Sequence, residues 1–247
     1  MLQYRHHHNF KIMKNLLFAA VLLTAFTSCK KNETTVNQRY EADTTASVSQ
    51  SDTLQTERPW VSKNQVFLDK FKIIELDSTK FSALNYEVKS VGPSLTKEEL
   101  QLFPKSLKVD SFIGEPESFQ AHSKFDINDN LIGLVARMPG EYSFTALKLF
   151  FYDKIKDEIL PQYFEVADHT GDAGYSEKMT SWLFKDGNQL KSFSYHWTKI
   201  EKVEPDDPTR ESRTDDYYII KLSPEKMDTA RVSKPDLAKY QKLLNQK

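Results

Sequence analysis

The sequence predicts a mainly β protein: an antiparallel up-and-down meander, barrel-like or sandwich, with a short helix near residues 96–103 and a C-terminal helix. Three observations carry this. From Ser118 to Ser233, segments of alternating or continuous apolar character follow one another, separated by short polar breaks. Two of those breaks, Asp129-Asn130 and Gly187-Asn188, are dipeptides suited to two-residue hairpin turns. The chain has only 7 glycines and no internal repeat, which argues against a propeller with regular blades. An aromatic content of 12% supplies material for a packed core.

The elements follow in order. Val66 to Leu76 fits two patterns: Phe67, Phe71 and Ile74 share a helical face, and Phe71, Ile73 and Glu75 a strand face. In Ser82–Val91, Leu84, Tyr86 and Val88 alternate with Asn85, Glu87 and Lys89, as in a half-buried strand. Thr96 and Glu99 form a capping box, Leu95 and Leu100 hold the staple positions, and Pro104 stops the helix. In Ser118–Ile127, Phe119, Ala121, Ser123, Phe125 and Ile127 fall on one face. A turn at Asp129-Asn130 with positive φ at both residues would set Phe125 opposite Leu134 and Ile127 opposite Ile132.

Leu131–Met138 and Ser143–Asp153 are nearly continuous apolar runs, the mark of central strands covered on both faces. Glu158–Asp168 continues the meander, with Pro161 marking an edge or a bulge. Met179–Asp186 and Gln189–Val203 form a hairpin around a type II′ turn with Gly187 first. Its register sets Trp182 opposite Phe193 and Thr180 opposite Tyr195. After a polar loop, Asp215–Ser223 and Thr229–Ser233 pair. Ser233 caps the last helix, Pro235 enters its first turn, and Leu237, Tyr240 and Leu244 line one side.

Little in this domain points to chemistry. A net charge of −1 with mixed signs gives no electrostatic case for nucleic acid or for an anionic membrane surface. Asp126 to Asn130 opens like an EF-hand loop, but Leu131 replaces the glycine and Arg137 the bidentate Glu, so a hairpin turn is the better reading. The polar stretch Asp168-His169-Thr170-Gly171-Asp172 sets a histidine between carboxylates, as a base with its orienter or part of a metal site would. Asp, Thr and Gly also make ordinary strand-joining loops. His122 and His196 read as surface or hydrogen-bonded histidines on strand faces away from the aromatics. No Gly-rich phosphate loop, G-x-S-x-G or H-E-x-x-H occurs, and no metal or cofactor is expected. The stripe Trp182, Phe193, Tyr195, Trp197 reads first as core, then as a possible ligand face or partner patch, since each needs the same alternation.

The N-terminus carries an address. Lys11 and Lys14 precede an apolar run from Leu16 to Phe26, then Thr27, Ser28 and the single cysteine, Cys29. The run is too short to cross a hydrocarbon core and has the flanks of a secretory signal. Phe26-Thr27-Ser28-Cys29 resembles the lipobox of bacterial lipoproteins, with Phe26 where leucine is usual. The resemblance covers residues 13–29. It implies a signal peptide over 1–28, with Met13 as an alternative start, and a diacylglyceryl thioether plus an acyl chain on Cys29, a multi-chain anchor. With that thiol used, disulfides, thiolate zinc sites and cysteine nucleophiles are excluded. Residues 29–59 are polar and without period, and read as a flexible tether before a single mainly β domain, 60–247. Lys30-Lys31, with no Asp after the cysteine, points by resemblance to the outer membrane. The expectation is an envelope-anchored lipoprotein with a non-catalytic domain, ligand- or partner-binding or structural. The alternative is an envelope hydrolase or inhibitor with a dispersed site near Asp168–Asp172.

Overall fold

A computed structural model describes residues 60–84, 88, 90–109, 118–140, 145–204, 206 and 211–246. The chain divides into two units, Met1–Gln55 and Thr56–Lys247. The first lies outside the described residues, as do Cys29 and the tether expected from the sequence. Every described element belongs to the second unit.

Ten strands are described: β1 (Lys72–Ile73), β2 (Thr79–Ser82), β3 (Gln120–Asn128), β4 (Leu131–Met138), β5 (Ala146–Asp153), β6 (Glu158–Asp172), β7 (Tyr175–Asp186), β8 (Gln189–Ile200), β9 (Ser212–Leu222) and β10 (Met227–Arg231). Short helices α1 (Gln65–Leu68), α2 (Lys97–Leu100) and α3 (Gln241–Leu244) accompany them, with 3₁₀ turns at Lys105–Leu107 and Pro235–Tyr240. Strands β3 to β10 pair antiparallel in chain order, the predicted meander. β1 adds to the β3 edge in parallel, and β2 pairs with β7 off the main path. Among the described residues, β1 and β10 stand at the two ends of the strand order and do not pair with each other.

β6 shapes the sheet. Its first part, Glu158–Ala167, pairs with β5, and its last residues, Asp168–Asp172, pair with β7. β2 occupies the β7 edge beyond that point, at Thr180–Leu183. A strand that serves two neighbours in succession makes a corner. Two register shifts in its pairing with β5 help it bend, one next to the corner and one spanning Pro161, which the sequence marks as an edge or a bulge.

Two cores result. In one, Phe67, Phe71, Leu95, Leu100 and Phe103 pack on Leu134, Ala136, Phe150 and Tyr152. In the other, Val135, Leu149 and Phe151 meet Phe164, Leu183, Leu190, Ile220 and Leu222. β4 and β5 feed both with alternate residues, which is why their sequences are nearly continuously apolar.

Helix α2 bears the predicted capping box: Thr96 Oγ1 accepts from Glu99 N, and Glu99 Oε2 accepts from Thr96 N at 2.7 Å. Gly187 takes φ +60°, as the first position of a type II′ turn requires, and Trp182 does face Phe193, and Thr180 Tyr195. Four expectations are corrected. The early strand is Thr79–Ser82, and Leu84 lies beyond it; the rest of its predicted stretch is largely outside the described residues. The 118–127 stripe does not stay on one face: a register shift between Ala121 and Ser123 sends Phe119 and Ala121 to the first core and Phe125 and Ile127 to the second. Asp129 and Asn130 do not have positive φ; instead Asn128 Oδ1 accepts from Asn130 N at 2.9 Å. A second shift at Ile127 then sets Phe125 opposite Gly133, and Asp126 opposite Ile132. Finally, the C-terminal helix begins as a 3₁₀ turn, and Ser233 Oγ donates to the Asp236 carboxylate rather than accepting from a backbone N–H.

Candidate functional site

The polar stretch Asp168–Asp172 is strand, not loop. It pairs residue by residue with Met179–Tyr175, and the chain reverses at Ala173-Gly174, both with positive φ. Strand alternation therefore separates the three candidates. Asp168 faces a cavity, His169 points to the opposite face, and Asp172 sits exposed at the strand end.

The cavity, about 330 Å³, lies where β6 leaves β5 for β7. Lys148 of β5, Glu165 and Asp168 of β6, Glu177 of β7 and His196 of β8 line it. Asp168, Met179 and His196 form one row across three strands, and Thr170 and Glu177 the next. Asp168 is buried, and its Oδ1 accepts from His169 N at 2.8 Å and lies 2.9 Å from Thr145 Oγ1. Gly140 closes the wall: a Cβ there would stand 2.7 Å from Asp168 Oδ2. Glu165 pairs with Lys148 at 3.0 Å. Burial nevertheless holds its carboxyl above the usual range, with Lys148 opposing and Asp168 and Glu177 adding to the rise. Burial lowers His196, against the pull of Glu177 and Asp216. The cavity thus sets an imidazole whose proton affinity burial lowers beside a carboxyl whose proton affinity burial raises. Among the described residues, no group of three His, Cys, Asp or Glu is placed to hold a metal ion.

The aromatic stripe divides in two. Trp182 and Phe193 are core, with ring centroids 5.6 Å apart, and Tyr240 of the C-terminal turn stacks on Phe193 at 4.5 Å. Tyr195 and Trp197 remain half-exposed. Tyr195 stacks on Tyr217 at 4.9 Å and donates its hydroxyl proton to Asp215; Arg213 Nη2 lies 3.0 Å from both, with its guanidinium 5.5 Å over Trp197. Burial, and then the bond to Asp215, push the Tyr195 hydroxyl up to about 12. This ledge separates two hollows. One, of about 790 Å³, is walled by Arg213, Tyr217, Arg231 and Leu237. The other, of about 260 Å³, is walled by Lys80, Lys178, Tyr195, Trp197 and Leu244.

His122 sits at the β3 bulge, part-buried, with Nδ1 3.0 Å from Ser123 Oγ and its ring against Phe81. Cys29 lies outside the described residues. Sequence reasoning missed Lys148, Glu165, Glu177 and Arg213. Each is an ordinary charged residue on an alternating strand, and only strand pairing reveals its neighbours. No known protein family, no curated protein and no solved structure matches the chain.

Proposed function

We propose that the chain is an envelope-anchored lipoprotein, held by lipid on Cys29, whose β domain binds a ligand or partner without transforming it. The ledge of Tyr195, Trp197, Tyr217 and Arg213 carries this reading. Its rings are held by stacking and by the Asp215 bonds, so little side-chain freedom is lost on contact. Aromatic faces beside fixed polar groups suit a ligand with a flat apolar face and a hydroxyl rim, such as a sugar ring of an envelope polysaccharide.

The test uses the mature protein and purified envelope polysaccharides, read by co-sedimentation. Trp197→Ala is expected to weaken retention about tenfold or more, the cost of one stacking contact of about 1–3 kcal/mol, with the thermal midpoint held. Retention unchanged in Trp197→Ala and in Tyr195→Ala overturns the ledge as the binding face.

The alternative is a hydrolase or inhibitor, and the raised carboxyl of Glu165 favours it. Its site would be the cavity of Asp168, Glu165, Glu177 and His196, without His169 or Asp172. Turnover of an envelope polymer or ester, lost in Glu165→Gln, would establish it and end the non-catalytic reading.

A further inference from the structure

We propose that the surface around Trp60 rests on the lipid bilayer. Of the nine exposed large apolar side chains among the described residues, four gather where the described chain begins. Val61, Ile73 and Ile155 are 72%, 75% and 76% exposed, and Trp60 is 41% exposed. Trp60 and Ile73 share one hollow with Lys124 and Lys154, and Ile155 follows Lys154 in the β5–β6 turn.

This apolar surface is built, not frayed. Trp60 Nε1 donates to Lys154 O at 2.9 Å, and its ring meets Tyr152 edge-on at 6.3 Å. Ser62 and Tyr152 hydroxyls both donate to Asp157 Oδ1, at 2.6 and 2.7 Å. Lys63 N donates to Asp157 Oδ2 at 2.8 Å, and Asn64 Nδ2 to the Tyr152 hydroxyl at 2.9 Å. Together these bonds hold an indole at the surface with its N–H already satisfied, the posture of a tryptophan at a membrane interface.

Chain continuity names the occupant. Thirty residues, Lys30 to Pro59, join Cys29 to Trp60. A chain of that length can reach at most about 100 Å, so with an anchor on Cys29 a weak second contact of this surface with the same bilayer is effectively intramolecular. The proposal rests on the lipid-anchor reading. Three of the neighbouring lysines are paired, Lys154 with Asp126 at 2.7 Å, Lys124 with Asp69 at 3.6 Å and Lys156 with Asp153 at 3.9 Å. Contact therefore rests mainly on apolar area, with charge and salt secondary.

The experiment uses mature lipidated protein floated on phosphatidylcholine vesicles, with and without anionic lipid. An environment-sensitive fluorophore is attached at Ile73→Cys, at Ile155→Cys, or at Lys202→Cys beyond the far end of the β7–β8 ladder. Radioactive fatty-acid labelling, with Cys29→Ala as control, reports the anchor separately. We expect lipid-borne nitroxide to remove about half or more of the signal at 73 and 155, as for groups set about 5–10 Å into the interface, and to spare position 202, on both vesicle types. Flotation with fatty-acid label but equal, weak quenching at all three positions overturns the proposal and leaves the anchor standing. A chain that takes no label and does not float loses the anchor, and the proposal with it.

Discussion

Gly133 shows how much one side chain decides. The Phe125 ring lies over its backbone, and a Cβ at 133 would stand 2.5 Å from two ring carbons. The ring is buried, so relief needs movement of the core rather than of a free side chain. Gly133→Ala should cost about 1–3 kcal/mol, read as a lower urea midpoint at unchanged slope. Adding Phe125→Leu should recover part of that cost, since two residues in contact are not additive. Apolar residues ordinarily meet across a ladder, so the sequence pattern pairs Phe125 with Leu134. It holds no sign that a glycine, by leaving room, invites the ring instead. At Ala173 a non-glycine residue is held at φ +45°, a conformation that carries strain and that no local pattern announces.

At the scale of elements, local chemistry suffices for some pieces. α2 has four residues, too few to persist alone. Its capping box, and Lys70 bridging Glu99 at 2.6 Å and Ser94 O at 3.0 Å, fix it while Leu95 and Leu100 enter the core. Thr96→Ala should cost about 1 kcal/mol by chemical denaturation, and Thr96→Ser much less. This helix is legible in the sequence because box and staple lie within about six residues. The end of β6 is not. Asp168, Thr170 and Gly171 are turn formers, but Tyr175–Met179 offers their backbone a complete ladder, and paired amides outweigh side-chain preference. The register of the β7–β8 hairpin is legible to the residue, since Gly187 sets it from within, whereas β7 starts at Tyr175, ahead of the expected Met179, and β8 ends at Ile200, short of the expected Val203.

The whole molecule should weaken at both ends of the pH scale for different reasons. On the acid side, burial raises the Asp157 carboxyl, but bonds from Ser62, Tyr152 and Lys63 N outweigh it and hold it below the usual range. Asp215 is lowered by Tyr195 and then Arg213. A carboxyl lowered by folding stabilises above its unfolded range, and that contribution fades as the pH falls through its folded value. Tyr195 behaves oppositely. Raised to about 12, it stabilises fully below about 10, and the contribution is lost as the pH climbs from there toward 12. Urea midpoints against pH should therefore fall at both ends. Asp157→Asn should reduce the acid limb, and Tyr195→Phe should reduce the alkaline limb and, because Asp215 loses its main partner, part of the acid limb as well. A Tyr195→Phe profile identical to the parent above about pH 10 would show that the Asp215 bond does not survive in solution.

The chain's own order of residues determined what depends on near neighbours: the alternation that makes strands, the Gly187 turn, the Thr96 cap, and the apolar density that marks β4 and β5 as central. Those signals act over about two to seven residues, where covalent geometry and period leave few choices. Tertiary structure alone decided the face each half of β3 presents, the corner in β6, the meeting of Lys148, Glu165, Glu177 and His196, and the docking of Trp60 on the β5–β6 turn. These join segments up to 95 residues apart, as Ser62 and Asp157 are. Such contacts are selected by how two sheet halves and two cores fill space together, which no window along the chain contains.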